Sequence, residues 1–288
     1  MGTLADPVSL DPHRATDLVS AAVIANVCEP LVRYRPDGAR PEGVLAVAWA
    51  TLDARAWTFT LRSGVRFHDG APLDAAAVVA NLERLRRARA FPARAQAAGP
   101  SVVSLTLDKP NAGLLATLSQ PFFCMQSPRA LAEPKRAALA GTGPFRLQAV
   151  RPGEVELTAV PDHWAGAPRL GRVLFRRFAS EEALAQALAT GEIDVTSSIG
   201  QQRVDALRGS VGVTLDAKTG LNIAFLSLNN ERKPLSDPRV RQAIARAIDR
   251  PALVREVLGG HAEPARNPLP PSIWGFGSRT KELGLDPP

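Results

Sequence analysis

Short stretches typical of β-strands alternate with stretches typical of α-helices along nearly the whole sequence. Trp57–Leu61 places apolar side chains at every second position, which is the period of a half-buried strand. Ala75–Arg87 has apolar residues at helical spacing and follows Asp74, a residue suited to cap a helix. Phe145–Val150 and Val155–Val160 flank a Pro-Gly dipeptide and predict a hairpin. A chain in which both element types mix throughout belongs to the α/β or α+β class.

The same patterns predict further elements elsewhere in the chain. Helices are expected at Asp17–Asn26, from Asn111 as its cap to Leu118, and at Glu181–Ala189, Pro238–Ile248 and Pro251–Leu258. Strands are expected at Val102–Leu107, Ile193–Val195, Val211–Leu215 and Leu221–Leu228. No self-similarity with a period of about 20 to 50 residues accompanies them, which excludes a repeat solenoid.

Length and composition exclude two broad classes of protein. The chain has 288 residues, of which 45% are hydrophobic and 22% charged, so disorder is excluded and about two domains are expected. The longest apolar stretches, such as Ala21–Ala25, are far shorter than the roughly 20 residues that span a bilayer. The first residues do not form a signal peptide. The protein is therefore expected either to be cytoplasmic or to have lost an export signal.

The charge balance is basic, at +7, and arginine dominates it. Codon bias is the simpler explanation, and an anion-binding surface is the other. The densest run, Leu82–Gln96, has the charge of a nucleic-acid arm, but it lacks aromatic residues for base stacking apart from Phe91. The solvated face of a helix is the preferred interpretation of this run.

The two cysteines, Cys28 and Cys124, lie far apart and have no CxxC spacing. They cannot form a disulfide framework or a zinc site, although a single bridge remains open. Both lie in apolar surroundings, so we predict two buried free thiols.

Signatures of catalysis are absent from the sequence. There is no phosphate-binding P-loop, no GxSxG elbow and no HExxH, and the four histidines are scattered. Gly141-Thr142-Gly143 lacks the third glycine of a dinucleotide site. It is better explained as a tight turn feeding a strand, in which glycine permits a positive φ. We therefore predict neither an enzyme nor a protein with a cofactor or metal.

Seven phrases of the sequence instead resemble one family, in that family's order. They are Ser9–His13, Glu29–Val32 with Leu45–Trp49, Trp57–Gly70, Gly141–Phe145, Pro161–Trp164, Gly191–Asp194 and Asp237–Ala243. Together they resemble the extracytoplasmic solute-binding proteins of the oligopeptide, dipeptide and nickel class, which serve ABC importers. The resemblance implies an α/β, two-lobe fold like that of type II periplasmic binding proteins, with ligand enclosed between the lobes by hinge closure.

The resemblance also implies a domain organisation. Residues 1–28 and 130–221 would form the core of the first lobe, and 29–129 an inserted subdomain. Residues 222–228 would be a crossover strand, and 229–288 the beginning of the second lobe. Family members are longer, so the rest of that lobe is expected to be missing. We accordingly expect an incomplete core sheet, apolar helix stripes left uncovered after residue 230, and no closed binding site from this chain alone.

Ligand contacts carry over only where the phrases align. The implied ligand-binding residues are Ala15, Thr16, Asp17, Thr196, Ser197, Ser198, Asn222 and Phe225. Their small hydroxyls and one amide suit hydrogen bonds to an extended peptide or a polar solute. Capping of the following helix is an equally good explanation for Thr16 or Asp17. Phe225 alternates with Ile223, so one of the two is expected to face the core.

The function implied is that of the substrate-binding component of an ABC importer, in the periplasm or at the cell surface. Its partners would be a peptide or small-solute ligand and the permease subunits. The protein would be a monomer that binds no nucleic acid and meets the membrane only through the permease. Dipeptides, oligopeptides, metal chelates and glycosides all remain open as ligands. The alternative is an arginine-rich protein that binds nucleic acid or an anionic surface, for which a steep salt dependence would be expected.

Overall fold

The computed structural model describes residues 1–35, 40–132, 139–216, 220 and 222–270. These residues fall into two compact units. The first consists of Met1–Leu184 and Ile193–Ser198, and the second of Ala185–Glu192 together with the chain from Ile199 onward.

Helices and strands alternate along the described residues, as the sequence predicts. The helices are α1 (Leu18–Val27), α2 (Ala75–Arg89), α3 (Leu114–Leu118), α4 (Pro128–Ala132), α5 (Glu181–Ala189), α6 (Gln201–Leu207), α7 (Pro238–Ala247) and α8 (Arg250–Glu256). The strands are β1 (Gly2–Thr3), β2 (Val32–Tyr34), β3 (Pro41–Gly43), β4 (Ala46–Thr51), β5 (Ala56–Leu61), β6 (Ala93–Gly99), β7 (Val102–Leu107), β8 (Phe145–Arg151), β9 (Glu154–Ala159) and β10 (Arg172–Arg177). Among these helices, none is long and apolar enough to cross a membrane.

The first unit contains a mixed sheet with the strand order β1-β10-β9-β8. Strands β8 and β9 form the predicted hairpin, and Gly153 turns it with a φ of +76°, a conformation that favours glycine. Strand β1 pairs parallel with β10. Thr196 adds a parallel bridge to Gly2.

A second sheet in the same unit is wholly antiparallel, with the order β4-β5-β7-β6. Helix α2 packs against β6 and β7. Strand β5 alternates exposed and buried positions as predicted, and Phe59 is fully buried. Leu82 and Leu85 of α2 enter the same apolar cluster, whose buried members all lie between Leu31 and Met125.

A separate apolar cluster lies beside the mixed sheet. It joins Val23, Ile24 and Val27 of α1 to strand residues such as Leu157 and Phe175. Cys28 and Cys124 belong to this cluster as buried free thiols, so that prediction is confirmed. The domain boundaries inferred at residues 28 and 129 stay a prediction.

Aspartates cap four of the described helices. The side chains of Asp17, Asp74, Asp237 and Asp249 each accept a hydrogen bond from a backbone N–H in the first turn of α1, α2, α7 and α8. The assignment of Asn111 as a cap is wrong, because α3 begins behind Gly113. Asn111 instead accepts a hydrogen bond from the Gly113 N–H at 2.9 Å, which closes an Asx turn one step before the helix.

Three predicted strands do not form within the described residues. Ile193–Val195, Val211–Leu215 and residues 222–228 contain no strand, and Leu221 lies outside the described residues. A strand exists only where a neighbour completes its hydrogen-bond ladder, and near the first of these segments only Thr196 makes an isolated bridge. An alternating apolar pattern is therefore not sufficient to predict a strand.

The second unit contains α6, α7 and α8 among its described residues, which end at Pro270. Neither α7 nor α8 has a buried residue. Leu253 and Val257 of the α8 region are 48% and 68% exposed. Residues 271–288 of the predicted second-lobe segment lie outside the described residues.

Candidate functional site

Predicted ligand-binding residues come after two segments that end at one edge of the mixed sheet. Strands β1 and β10 run parallel, and the Thr196 bridge runs in the same direction, so all three segments end at the same edge. Ligands of sheets with parallel strands bind outside the carboxyl ends of those strands. Thr16 and Asp17 belong to the loop that follows β1, and Ser197 and Ser198 follow the bridge directly.

The Thr196 hydroxyl has a role in fixing this edge. It donates a hydrogen bond to the Gly2 carbonyl at 3.0 Å and accepts one from the Ser198 N–H at 3.1 Å. Gly2 leaves no room for a side chain, because an added Cβ would lie 2.3 Å from Leu184 Cδ1. Ser197 is exposed and Ser198 half-buried, so their side chains face the surface beyond the anchored threonine.

The three predicted residues before α1 have three different environments. Ala15 is completely buried, so its side chain has no surface to offer a ligand, and that part of the prediction is wrong for the side chain. Thr16 is exposed. The Asp17 carboxylate caps α1 by accepting hydrogen bonds from the Ser20 hydroxyl and, at 2.8 Å, from the Ser20 N–H, and it also accepts one from the Val8 N–H at 3.3 Å. Partial burial would raise the pKa of Asp17, but these hydrogen bonds outweigh it and lower that pKa.

An ion pair holds the loop between β1 and α1 against helix α2. Arg84 pairs with both carboxylate oxygens of Asp11, one of them at 2.8 Å, and its Nη1 lies 3.0 Å from His13 Nδ1. A guanidinium only donates, so His13 Nδ1 must be an acceptor without a proton. The proton of neutral His13 therefore resides on Nε2, which donates to the Cys124 carbonyl at 3.2 Å.

The two titratable groups that Arg84 contacts, His13 and Asp11, both have a lowered pKa. Burial lowers the pKa of His13 to about 4, even though the hydrogen bond to the Cys124 carbonyl acts in the opposite direction. Burial would raise the pKa of Asp11, but the hydrogen bond and charge of Arg84 outweigh it and lower that pKa. The loop therefore contains a neutral imidazole and an ionised carboxylate near neutral pH.

A second arginine of α2 binds the main chain of the loop. Arg89 Nη2 donates to the carbonyl oxygen of Pro12 at 3.2 Å and also to that of Ala15. Its guanidinium lies over the ring of Phe122, 4.9 Å from the centroid. Arg84 and Arg89 are thus partly buried structural residues, and describing the whole arginine run as a solvated helix face is wrong.

The geometry of the chain after Arg89 reinforces this correction. Helix α2 ends at Arg89, and Ala90 adopts a left-handed conformation with a φ of 50°. Arg94 lies in strand β6.

Sequence analysis missed the contacts of Arg84 and Arg89 because their partners lie more than 70 positions away. The available signal was the coincidence of an arginine-rich helix with the acidic Ser9–His13 phrase.

Asn222 and Phe225 belong to the second unit. Both are exposed, Phe225 by 80%, whereas Ile223 is half-buried. Of the alternating pair, Ile223 is thus the more buried. Their contact with a ligand stays a prediction. In the described part of the chain, no group of three His, Cys, Asp or Glu residues is arranged to hold a metal ion.

A buried polar cluster lies where the two apolar clusters of the first unit approach each other. Glu29 Oε2 accepts hydrogen bonds from the Thr142 hydroxyl and the Trp164 indole, both at 2.8 Å. His163 Nε2 is 3.5 Å from the other carboxylate oxygen. His68 Nε2 donates to the Gly143 carbonyl at 2.9 Å. The cluster joins four of the seven phrases that carry the family resemblance, and it gives each of them a structural role.

The sequence profile of the bacterial extracellular solute-binding proteins, family 5 Middle, matches residues 40–287. The chain belongs to family 5 of the bacterial extracellular solute-binding proteins. The predicted α/β fold, like that of type II periplasmic binding proteins, is confirmed with it. Four of its family phrases meet in the cluster around Glu29, and Ser197 and Ser198 directly follow the Thr196 bridge at the edge of the mixed sheet.

Two curated family 5 relatives illustrate the similarity. The probable D,D-dipeptide-binding periplasmic protein DdpA of Escherichia coli K12 is 31% identical over 99% of this chain. The glutathione-binding protein GsiB of Salmonella paratyphi A is 32% identical over 92% of it. The chain spans 60% and 54% of the lengths of these relatives.

Solved family structures agree with the fold. HbpA2 from Haemophilus parasuis superimposes with a TM-score of 0.89 at 25% identity, over 99% of this chain and 64% of that chain. DppA from Helicobacter pylori, in complex with the peptide STSA, gives 0.84 at 27% identity, over 99% and 63%. NikA from Brucella suis, in complex with Fe(III)-EDTA, gives 0.87 at 26% identity, over 100% and 62%.

Proposed function

We propose that this family 5 chain is part of the substrate-binding component of an ABC importer and captures a peptide or another small solute for delivery to the permease. In this proposal the protein works outside the cytoplasm, in the periplasm or at the cell surface. It binds its solute without chemical change and is not an enzyme.

The observation that carries the proposal is that, in a family 5 chain, Ser197 and Ser198 directly follow the Thr196 bridge at the edge of the mixed sheet, and Thr16 is exposed in the loop after β1. Exposed hydroxyls can donate and accept hydrogen bonds, which suits the alternating N–H and C=O groups of a peptide. The names of relatives support an amide-containing ligand, because they refer to D,D-dipeptides, glutathione and the peptide STSA.

Asn222 and Phe225, which belong to the second unit, are separate candidates for ligand contact. An amide can pair with a peptide group in both directions, and an exposed phenyl ring offers apolar contact to a ligand side chain. Asp17 and Thr196 contribute by holding the loops, since their side chains already accept or donate hydrogen bonds within the first unit.

Calorimetry on the full-length gene product tests the proposal. Ala-Ala, Ala-Ala-Ala, D-Ala-D-Ala and glutathione would each be titrated, and at least one is expected to give saturable heat. Thr16→Ala and Ser197→Ala should weaken that binding, whereas Thr58→Ala, an exposed threonine on β5, should leave it unchanged. No binding by any solute, or equal effects of all three substitutions, would overturn the proposal.

The same preparation tests the alternative of a nucleic-acid binder. A duplex DNA titrated at about 150 mM salt should give no binding, because Arg84 and Arg89 use their guanidinium groups within the protein. Tight duplex binding that weakens steeply with added salt would favour the alternative.

A further inference from the structure

We infer that Arg84 and Arg89 of helix α2 are positioning residues for the solute site, holding the loop of residues 11–17 in the shape that presents Thr16. This inference rests on the proposed function. It gives helix α2 a part in binding, because α2 would act on the solute through the loop and without touching the solute itself.

The first step of the argument is where the two guanidinium groups are anchored. Arg89 donates to the carbonyl oxygens of Pro12 and Ala15, and Ala15 directly precedes Thr16. Arg84 holds Asp11 by both carboxylate oxygens and also holds His13 Nδ1. Four residues of one short loop are therefore tied to one helix.

The second step is how little the loop holds itself. Its own turn consists of hydrogen bonds from the Arg14 and Ala15 N–H groups to the Asp11 carbonyl, at 3.0 and 2.8 Å, and one from the His13 N–H to Asp11 Oδ1 at 3.1 Å. A single turn of this kind is marginal in water, because the entropy of fixing its dihedral angles exceeds the gain from a few hydrogen bonds. The contacts of Arg84 and Arg89 with residues 11–15, which we call the clamp, hold this turn in one conformation and so fix the position of Thr16.

The third step is that the clamp is itself rigid. Leu82 and Leu85 fix α2 in the apolar core, so Arg84 projects from an immobile helix. The side chains of Arg84 and Asp11 are only 23% and 17% exposed, and a partly desolvated ion pair costs more to open than a surface pair. Gln126 adds a further contact to the same carboxylate, because its Nε2 donates a hydrogen bond to Asp11 Oδ1 at 3.3 Å.

A loop ordered before it meets its ligand loses less entropy when it binds. Removing the clamp should therefore weaken solute binding even though Arg84 and Arg89 make no contact with the solute. It should do so by loosening residues 11–17, which amide hydrogen exchange measures directly.

The experiment compares Arg89→Ala and Arg84→Ala with Arg87→Ala, which removes the same charge from an exposed position of the same helix. In the first two variants, the amides of Arg14 and Ala15 should exchange about tenfold faster or more, and the affinity for the solute that the wild type binds should fall by about tenfold. Arg87→Ala should match the wild type. Arg89→Lys should be intermediate, because one ammonium keeps the charge but not the planar fork.

The outcomes separate this inference from the proposed function. If the wild type binds none of the peptides, the proposed function fails, and the role in solute binding inferred here fails with it. If it binds and exchange at residues 14 and 15 is unchanged in the variants, the positioning role is wrong while the function stands. Faster exchange with unchanged affinity also overturns it. Should Arg84→Ala fail to fold, Arg89→Ala and Arg89→Lys carry the test.

Discussion

The carboxylate of Glu29 accepts a hydrogen bond from the indole of Trp164, 135 positions further along the chain. The same oxygen accepts one from Thr142, and the Arg62 guanidinium lies 4.4 Å from the centroid of the Trp164 ring. With only 12% of its side chain exposed, Glu29 links the first residues after α1 to the loop behind β9. The Glu29 carboxylate therefore connects the segment after α1 with the segments that contain Thr142 and Trp164.

The two donors on one oxygen predict a contrast between two substitutions of Glu29. Glu29→Ala leaves the Trp164 N–H and the Thr142 hydroxyl without an acceptor and should lower the free energy of unfolding by about 3 kcal/mol. Glu29→Gln keeps an oxygen at that place and should cost less than about 1 kcal/mol. Urea unfolding followed by circular dichroism measures both. Equal losses would mean that the charge, and not the hydrogen-bond pair, matters.

The shifted pKa of His13 predicts a pH dependence of stability. Below about pH 6.5 the unfolded chain protonates this histidine, but the folded chain does so only near its pKa of about 4. Stability contributed by neutral His13 is thus fully present above about pH 6.5 and falls as the pH drops towards 4, by about 3 kcal/mol in total. Burial also lowers the pKa of His68, which adds loss in the same direction.

Urea unfolding at a series of pH values between 7 and 4 checks this prediction. His13→Gln should flatten the curve relative to the wild type, leaving the contribution of His68. His261→Gln, in the second unit, is the matched control and should keep the wild-type slope. A His13→Gln curve parallel to that of the wild type would contradict the prediction.

The glycines of the Gly141-Thr142-Gly143 phrase predict a steric effect. A Cβ on Gly141 would lie 2.1 Å from the Val27 carbonyl oxygen and 2.7 Å from Cys28 Sγ. Gly141→Ala should therefore destabilise the fold by about 3 kcal/mol or more, because backbone has to move. Gly171→Ala, with no atom within 4 Å of the added Cβ, should be nearly neutral. Thermal unfolding of the two variants compares them, and similar melting temperatures would refute the steric account.

The two cysteines predict a slow reaction with thiol reagents. Cys28 and Cys124 are at most 1% exposed, and burial, followed by the neighbouring Cys28, raises the pKa of the Cys124 thiol. Both thiols should react with an aromatic disulfide reagent only as fast as the protein opens, and both should react at once in denaturant. Cys28→Ser should leave one reactive thiol. Rapid labelling in native buffer, or a missing thiol in denaturant, would go against this expectation.

Local chemistry made parts of the fold predictable from the sequence. Asp74 caps α2, and the alternation in Trp57–Leu61 gives a strand with one buried face, because both features depend on neighbours in sequence. Strand β6 was missed, since its four alanines favour no strand by themselves and it forms by pairing with β7.

The sequence offers candidate residues for a solute site, and their contact with a solute stays a prediction. The hydroxyls of Thr16 and Ser197 follow recognisable phrases, whereas the clamp from Arg84 depends on a contact across 73 positions. Gly141 and Gly143 show the same limit. The sequence predicts a positive φ for them, but neither residue has one, and glycine is needed there because the end of α1 approaches too closely for a side chain.

The pairing of β1 with β10 imposes an order on how the chain can assemble. All strand pairs of the β4-β5-β7-β6 sheet form between residues 46 and 107, so a growing polypeptide has the whole of that sheet soon after its first third is made. Gly2 pairs with Arg176 and Thr3 with Arg177. The residues of β1 must therefore wait for some of the last strand residues of the unit, and the edge formed by β1 and β10 is the part of the first unit that closes late.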